Sequence, residues 1–177
     1  MIRLFVAVDI PEQVRLRLSL MQGGVPGARW SPMENLHLTL RFIGDVDGAT
    51  ANDVDGVLCG LSAHGFDLTL KGAGEFGGRE GRSLWAGVAA SEGLVRLVAK
   101  IESALQRMGL EAETRKYTPH VTLARLKDAP LAKVQEFVAH HSLFDSGQFA
   151  VKVFGLYSSH QSSKGSVYRL ESSYALT

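Results

Sequence analysis

Leu36-His37-Leu38-Thr39-Leu40-Arg41-Phe42 and Pro119-His120-Val121-Thr122-Leu123-Ala124 carry the same pattern of a histidine, an apolar residue, a threonine and a leucine. Strand side chains alternate between faces, so Leu36, Leu38, Leu40 and Phe42 share one face of the first stretch and His37, Thr39 and Arg41 the other. In the second stretch Val121 and Leu123 turn inward, while His120 and Thr122 point to the opposite side. Each stretch is read as a strand that is apolar behind and presents an imidazole and a hydroxyl in front. At this composition one such tetrapeptide arises by accident in roughly one chain in a hundred, and an independent pair in about one in ten thousand.

The elements around these strands alternate in type. Ile2 to Val8 is predicted as a buried strand, and Asp9-Ile10-Pro11-Glu12 as a helix start with Asp9 as N-cap and Pro11 in the first turn. Val14, Leu18 and Met21 give that helix its apolar stripe. Gly23 to Gly27 forms a loop, and Ala49 to Leu61 a weaker helix interrupted by Gly56. Phe66 to Leu70 and Leu84 to Ala89 read as strands. Ser91-Glu92 caps a helix whose apolar residues Leu94, Leu97, Val98, Ile101, Leu105 and Met108 recur every three or four positions, and Gly109 closes it. Pro130 to Val138 reads as a helix, and Phe149 to Tyr157 and Val167 to Leu170 as strands joined across a polar loop, Ser158 to Ser166. The expected fold is α+β: one pseudo-symmetric bilobal domain over residues 1–177, with antiparallel sheets lining a central cleft and helices outside. The lobe junction is placed near Gly72 to Arg82, with more than one crossing between lobes left open.

Composition narrows the function. The chain has 177 residues, 45% of them hydrophobic and 21% charged, which is ordinary globular composition. With 19 Lys and Arg against 18 Asp and Glu, the net charge of +1 provides no general field for holding long nucleic acid, so such a substrate must be gripped locally or at an end. Cys59 is the single cysteine, which excludes an internal disulfide and a thiolate metal cluster and fits a reducing compartment. No apolar run is long enough to span a bilayer, so no membrane partner and a cytoplasmic location are expected.

Gly72-Ala73-Gly74-Glu75-Phe76-Gly77 matches the dinucleotide-binding pattern G-x-G-x-x-G, but that fold needs a helix to start there. Gly78-Arg79-Glu80-Gly81-Arg82 and a further strand follow instead, so the stretch reads as a flexible connection. No H-x-H, H-E-x-x-H or C-x-x-C occurs, and each motif supplies one histidine, so no metal site is expected. His64, His140, His141 and His160 read as surface residues. Nothing places a nucleophile and its base beside either motif histidine. Two histidines suit concerted acid–base work on a phosphodiester, since a pKa near neutrality lets one imidazole accept a proton while the other donates one. Thr39 and Thr122 then donate to the non-bridging oxygens.

Asn35 to Gly44 and Tyr117 to Arg125 resemble the paired H-x-T-x motifs of the two-histidine phosphoesterase superfamily. The likeness is strongest to its bacterial and archaeal RNA 2′,3′-cyclic phosphodiesterases, also called 2′-5′ RNA ligases. It extends to Arg3 through Pro11, to Leu84-Trp85-Ala86-Gly87 and to Tyr157-Ser158-Ser159. The resemblance implies cofactor-free, metal-independent hydrolysis of an RNA terminal 2′,3′-cyclic phosphate to a 2′-phosphate, by a monomer, with 2′-5′ ligation as the reverse. It implies His37 as the proton donor to the departing 3′-oxygen, His120 as the base that activates water, and Thr39 and Thr122 as phosphate holders. Arg125 resembles an arginine of substrate recognition, yet ideal alternation puts it opposite His120 unless the strand bulges or the side chain reaches around an edge. Arg41, on the face of His37, is a further candidate for substrate binding. Trp30, Tyr117 and Tyr168 are candidates for stacking on a base. Other readings are a non-catalytic module that binds nucleotides or RNA ends, and a phosphodiesterase acting on a non-RNA cyclic phosphate or on 2′-5′ oligoadenylate.

Overall fold

The computed structural model describes residues 1–77 and 82–177. Its strands are β1 (Ile2–Asp9), β2 (Ala28–Trp30), β3 (His37–Val46), β4 (Phe66–Phe76), β5 (Arg82–Val88), β6 (His120–Leu126), β7 (Asp145–Val151), β8 (Val153–Ser162) and β9 (Gly165–Ala175). Its helices are α1 (Glu12–Met21), α2 (Gly48–Cys59), α3 (Glu92–Arg107) and α4 (Leu131–His140). The strands form two antiparallel sheets, ordered β3-β1-β8-β9 and β2-β6-β5-β4-β7.

The continuous apolar run of β1 reflects its place: it is paired on both edges, and Leu4 to Val8 are all buried. Helix α3 buries Leu94, Leu97, Ile101, Ala104 and Leu105 along one stripe, and the Ser91 hydroxyl accepts from the Leu94 N–H at its start. The Asp47 carboxylate does the same for α2 through the Thr50 N–H. Asp9 does not cap α1, contrary to expectation. The helix begins at Glu12 after an extended Pro11, and the Asp9 carboxylate accepts from the adjacent Ile10 N–H instead. Apolar residues from both sheets and all four helices join in one core cluster.

The lobes do not divide where expected. On either side of residues 78–81, which lie outside the described residues, β4 and β5 pair as neighbours in one sheet, so both ends of the expected junction belong to the same lobe. The chain enters the second sheet first at β2 and leaves it for β3, crosses again between β3 and β4 by way of α2, and returns at Lys152. Phe149 to Tyr157 is consequently two strands: Val151 pairs with Phe66 in one sheet and Val153 with Ala175 in the other. Nothing in the apolar pattern marks this break, because both pieces keep a strand period. Most of the polar stretch Ser158 to Ser166 is also strand: Ser162 opposes Gly165, leaving Ser163 and Lys164 as the turn.

The glycine-rich stretch is strand as well, up to Phe76. Gly74 opposes Trp85, and a Cβ at Gly74 would lie 2.3 Å from the Trp85 ring. That glycine serves close packing: a bare backbone lets the indole lie across the sheet. Arg82, at the end of that stretch, donates to the Ala129 carbonyl and lies 3.6 Å from Glu75, while Arg79 falls outside the described residues.

A Gly74→Ala substitution should therefore destabilise the fold by about 1–3 kcal/mol through overpacking against Trp85. The urea midpoint should fall with an unchanged m-value; an unchanged midpoint would show that Trp85 relaxes freely.

Candidate active site

Strands β3 and β6 lie against each other, one from each sheet, and the Tyr117 hydroxyl just before β6 donates to the Thr39 carbonyl in β3 at 2.9 Å. A cavity of about 430 Å³ opens beside them. His37, Thr39, His120, Thr122 and Arg125 line it together, with Asn35, Gln161 and Tyr168 among the other lining residues. Both motifs thus present their imidazole and hydroxyl to one space, as strand alternation requires of each.

Beyond the threonines, alternation breaks in the same way twice. Ala7 opposes Thr39 and Val6 opposes Arg41, so Leu40 is an extra residue in β3. Trp85 opposes Thr122 and Leu84 opposes Ala124, so Leu123 is an extra residue in β6. Each bulge falls three residues after its histidine and reverses the faces of the residues that follow. In β6 it buries the consecutive Leu123 and Ala124 and brings Arg125 out onto the cavity, resolving its position. In β3 it corrects two expectations. Phe42, expected in the apolar back, is 46% exposed and lines the cavity. Arg41, expected beside His37, leaves that cavity's wall: its guanidinium donates to Glu102 of α3 and to the carbonyls of Phe42 and Glu111. Phe42 and Arg125 are therefore counterparts, five residues after each histidine.

The imidazoles are held by matching local contacts. His37 Nδ1 lies 2.6 Å from the Asn35 carbonyl and His120 Nδ1 lies 2.7 Å from the Thr118 carbonyl, in each case two residues earlier. A carbonyl only accepts, so Nδ1 carries a proton in both rings and Nε2 is the variable position. In His37, Nε2 is 2.9 Å from the Thr39 hydroxyl. Aromatic rings edge both: Phe5 and Tyr168 lie 4.9 and 5.1 Å from His37, and Phe76 and Trp85 lie 4.8 and 6.0 Å from His120. Burial lowers the pKa of each below the usual imidazole value, against the opposing effect of the carbonyl contact. For His37 the nearby His120 lowers it further.

Arg3 also lines the cavity, but its guanidinium is paired in two-point fashion with Asp45, at 2.9 and 3.1 Å. Arg125 has no carboxylate partner among the described residues, which leaves it the cation available to an anion. Of the stacking candidates, Tyr168 lines this cavity, Tyr117 lines an adjoining one, and Trp30 packs against Phe137 at 5.6 Å. Asn35, Phe42, Ser159, Gln161 and Ser166 were not among the candidates. The hidden bulge concealed Phe42, Asn35 lies just before the first motif, and the others come from a hairpin far along the chain. His64, His140, His141 and His160 line neither cavity. Among the described residues, no group of three or more His, Cys, Asp and Glu side chains is placed to hold a metal ion. No helix among them is long and apolar enough to cross a membrane.

Two facing strands, each giving an imidazole and a hydroxyl to one cleft, define a phosphoesterase-type site, and comparison with known proteins agrees. The model of the LigT-like phosphoesterases matches residues 8–85 and 87–168. The chain belongs to that family. An RNA 2′,3′-cyclic phosphodiesterase of Thermotoga maritima is 33% identical over 178 residues, spanning 95% of this chain and 92% of its own. Its Escherichia coli counterpart is 32% identical over 127 residues, 70% of this chain and 71% of its own. The crystal structure of E. coli LigT complexed with 3′-AMP superposes with a TM-score of 0.81 at 29% identity, covering 99% of this chain and 98% of that one.

Both imidazoles should titrate below the ordinary value of about 6.5 in the free protein, because burial disfavours their charged forms. Inorganic phosphate should move both titrations upward by stabilising the cations. Histidine ring NMR resonances followed against pH report this directly; titration above 6.5 in the free protein would contradict it.

Proposed function

We propose that this protein hydrolyses the 2′,3′-cyclic phosphate at the 3′ end of RNA to a 2′-phosphate. The observation that carries the reading is that both imidazoles, both threonine hydroxyls and an arginine with no carboxylate partner among the described residues line one cavity. The activity named for the T. maritima and E. coli relatives supports the RNA substrate, and the 3′-AMP complex of the E. coli protein supports a nucleotide ligand.

In this reading the cyclic phosphate sits between the two rings with its non-bridging oxygens at Thr39, Thr122 and Arg125. His120 Nε2 takes a proton from water as the water oxygen forms its bond to phosphorus. The phosphorus–O3′ bond breaks, and the proton on His37 Nε2 passes to the departing 3′-oxygen. The products are a 2′-phosphate and a 3′-hydroxyl, with His120 protonated and His37 neutral. Exchange with solvent restores the starting states. No metal or cofactor enters the step, and the two Nδ1–carbonyl contacts keep each Nε2 aimed at the phosphate throughout. A 5′-hydroxyl replacing water gives a 2′-5′ link by the same path, but water in vast excess favours hydrolysis. The same reading treats residues 1–177 as one bilobal catalytic unit acting as a monomer in the cytoplasm on RNA ends.

The assay is an RNA bearing a 2′,3′-cyclic phosphate, incubated with the protein in EDTA. Turnover to a 2′-phosphate is expected, and binding without turnover would falsify the enzymatic reading. His37→Ala and His120→Ala should each lower kcat by roughly 10²-fold or more while leaving the circular dichroism spectrum unchanged, since each removes a proton-transfer partner.

The pH profile follows from the lowered pKa values. His37 must hold its proton and His120 must lack one, so kcat/KM falls above the pKa of the first and below that of the second. Both lie below the usual imidazole value, so the optimum of kcat/KM should fall below about pH 6.5, where free-enzyme groups are reported. The optimum of kcat should lie higher, because bound phosphate stabilises the imidazolium. An optimum of kcat/KM on the alkaline side of neutrality would refute this pairing.

A further inference from the structure

A second cavity, of about 540 Å³, adjoins the first. The two share Thr39, Phe42, His120, Thr122 and Arg125, so they meet where the phosphate is placed. His37 lines only the first, whereas Phe76, Lys116 and Tyr117 line only the second.

The chemistry of this second wall is specific. Phe42 is largely exposed and faces both spaces, and Phe76 stands half-buried with its ring edge-on to His120. Lys116 is exposed and, like Arg125, has no carboxylate partner among the described residues. The other cations there are engaged, Arg41 by Glu102 and Arg115 by Glu113. Aromatic faces beside uncompensated cations are what single-stranded nucleic acid binds, through base stacking and phosphate contacts. The first cavity, at about 430 Å³, has room for one nucleoside-sized group, so a longer RNA has to continue outside it. Along the first cavity's own wall, Arg3 is already neutralised by Asp45.

We propose that the second cavity binds the RNA strand leading to the terminal nucleotide, with a base against Phe42 and Phe76 and a backbone phosphate at Lys116. This subsite rests on the cyclic phosphodiesterase reading of the first cavity, and makes the protein a reader of polynucleotide ends in preference to cyclic mononucleotides.

The test compares kcat/KM for adenosine 2′,3′-cyclic phosphate with that for a trinucleotide ending in the same group. The wild-type protein should favour the trinucleotide by about tenfold or more. Lys116→Ala should cut that ratio several-fold, Lys116→Glu further, and the log–log salt slope for the trinucleotide should shrink by about 1. Lys164→Ala, in the β8–β9 turn and lining neither cavity, should leave the ratio alone. A wild-type ratio near one, or a ratio lost in Lys164→Ala and kept in Lys116→Ala, overturns the subsite while leaving the phosphodiesterase reading intact. If neither substrate is turned over, the phosphodiesterase reading fails, and fluorescence anisotropy of a 5′-labelled trinucleotide 3′-phosphate decides the subsite separately. Weaker binding by Lys116→Glu than by wild type supports it, and equal binding overturns it.

Discussion

The extra residue three positions after each motif histidine organises the whole site. A strand allows two side chains of a tetrapeptide to share a face, but a perfect strand then alternates indefinitely. Leu40 and Leu123 break that alternation three residues after each histidine. His37 and Thr39 stay on the cleft, Arg41 turns back to Glu102, and Phe42 comes forward. In the other strand His120, Thr122 and Arg125 end on one side despite their odd spacing. The cleft therefore receives an aromatic ring from one lobe and a cation from the other at equivalent positions.

Two effects that oppose one another set the protonation of the rings. Burial among Phe5, Tyr168, Phe76 and Trp85 favours the neutral imidazoles. The carbonyls of Asn35 and Thr118 hold Nδ1 protonated and moderate the shift, leaving Nε2 as the group that gains and loses a proton. The Tyr117 hydroxyl links the strands by donating to the Thr39 carbonyl, so the spacing of the two motifs is set by a direct bond between lobes. Burial raises the Tyr117 pKa well above its usual value, which keeps the hydroxyl protonated and donating.

Much of the architecture was legible in the sequence where local rules decide it. The apolar periodicity of α3 and its Ser91 cap specify that helix closely, and the apolar run of β1 marks a strand covered on both sides. Elements whose limits depend on distant partners were misread. The glycine stretch of β4 looks like a loop until Trp85 is seen lying over Gly74. The break at Lys152 leaves no trace in the pattern, because Val151 and Val153 are both apolar strand residues, although they join different sheets. The lobe boundary shares that origin, since β8 and β9 return to pair beside β1 after the chain has built the other lobe.

For the site, the repeated His-x-Thr pattern by itself determined that an imidazole and a hydroxyl share a face in each strand, because that follows from backbone geometry over three residues. Local sequence also carried the carbonyl two positions before each ring. Tertiary structure alone decided that the two faces meet, that Phe42 and Arg125 join them while Arg41 leaves, and that Gln161 and Tyr168 of a distant hairpin complete the cavity wall. A bulge is defined by the partner strand that fails to match it, and a cleft by surfaces from both lobes, so neither is written in the residues of one segment.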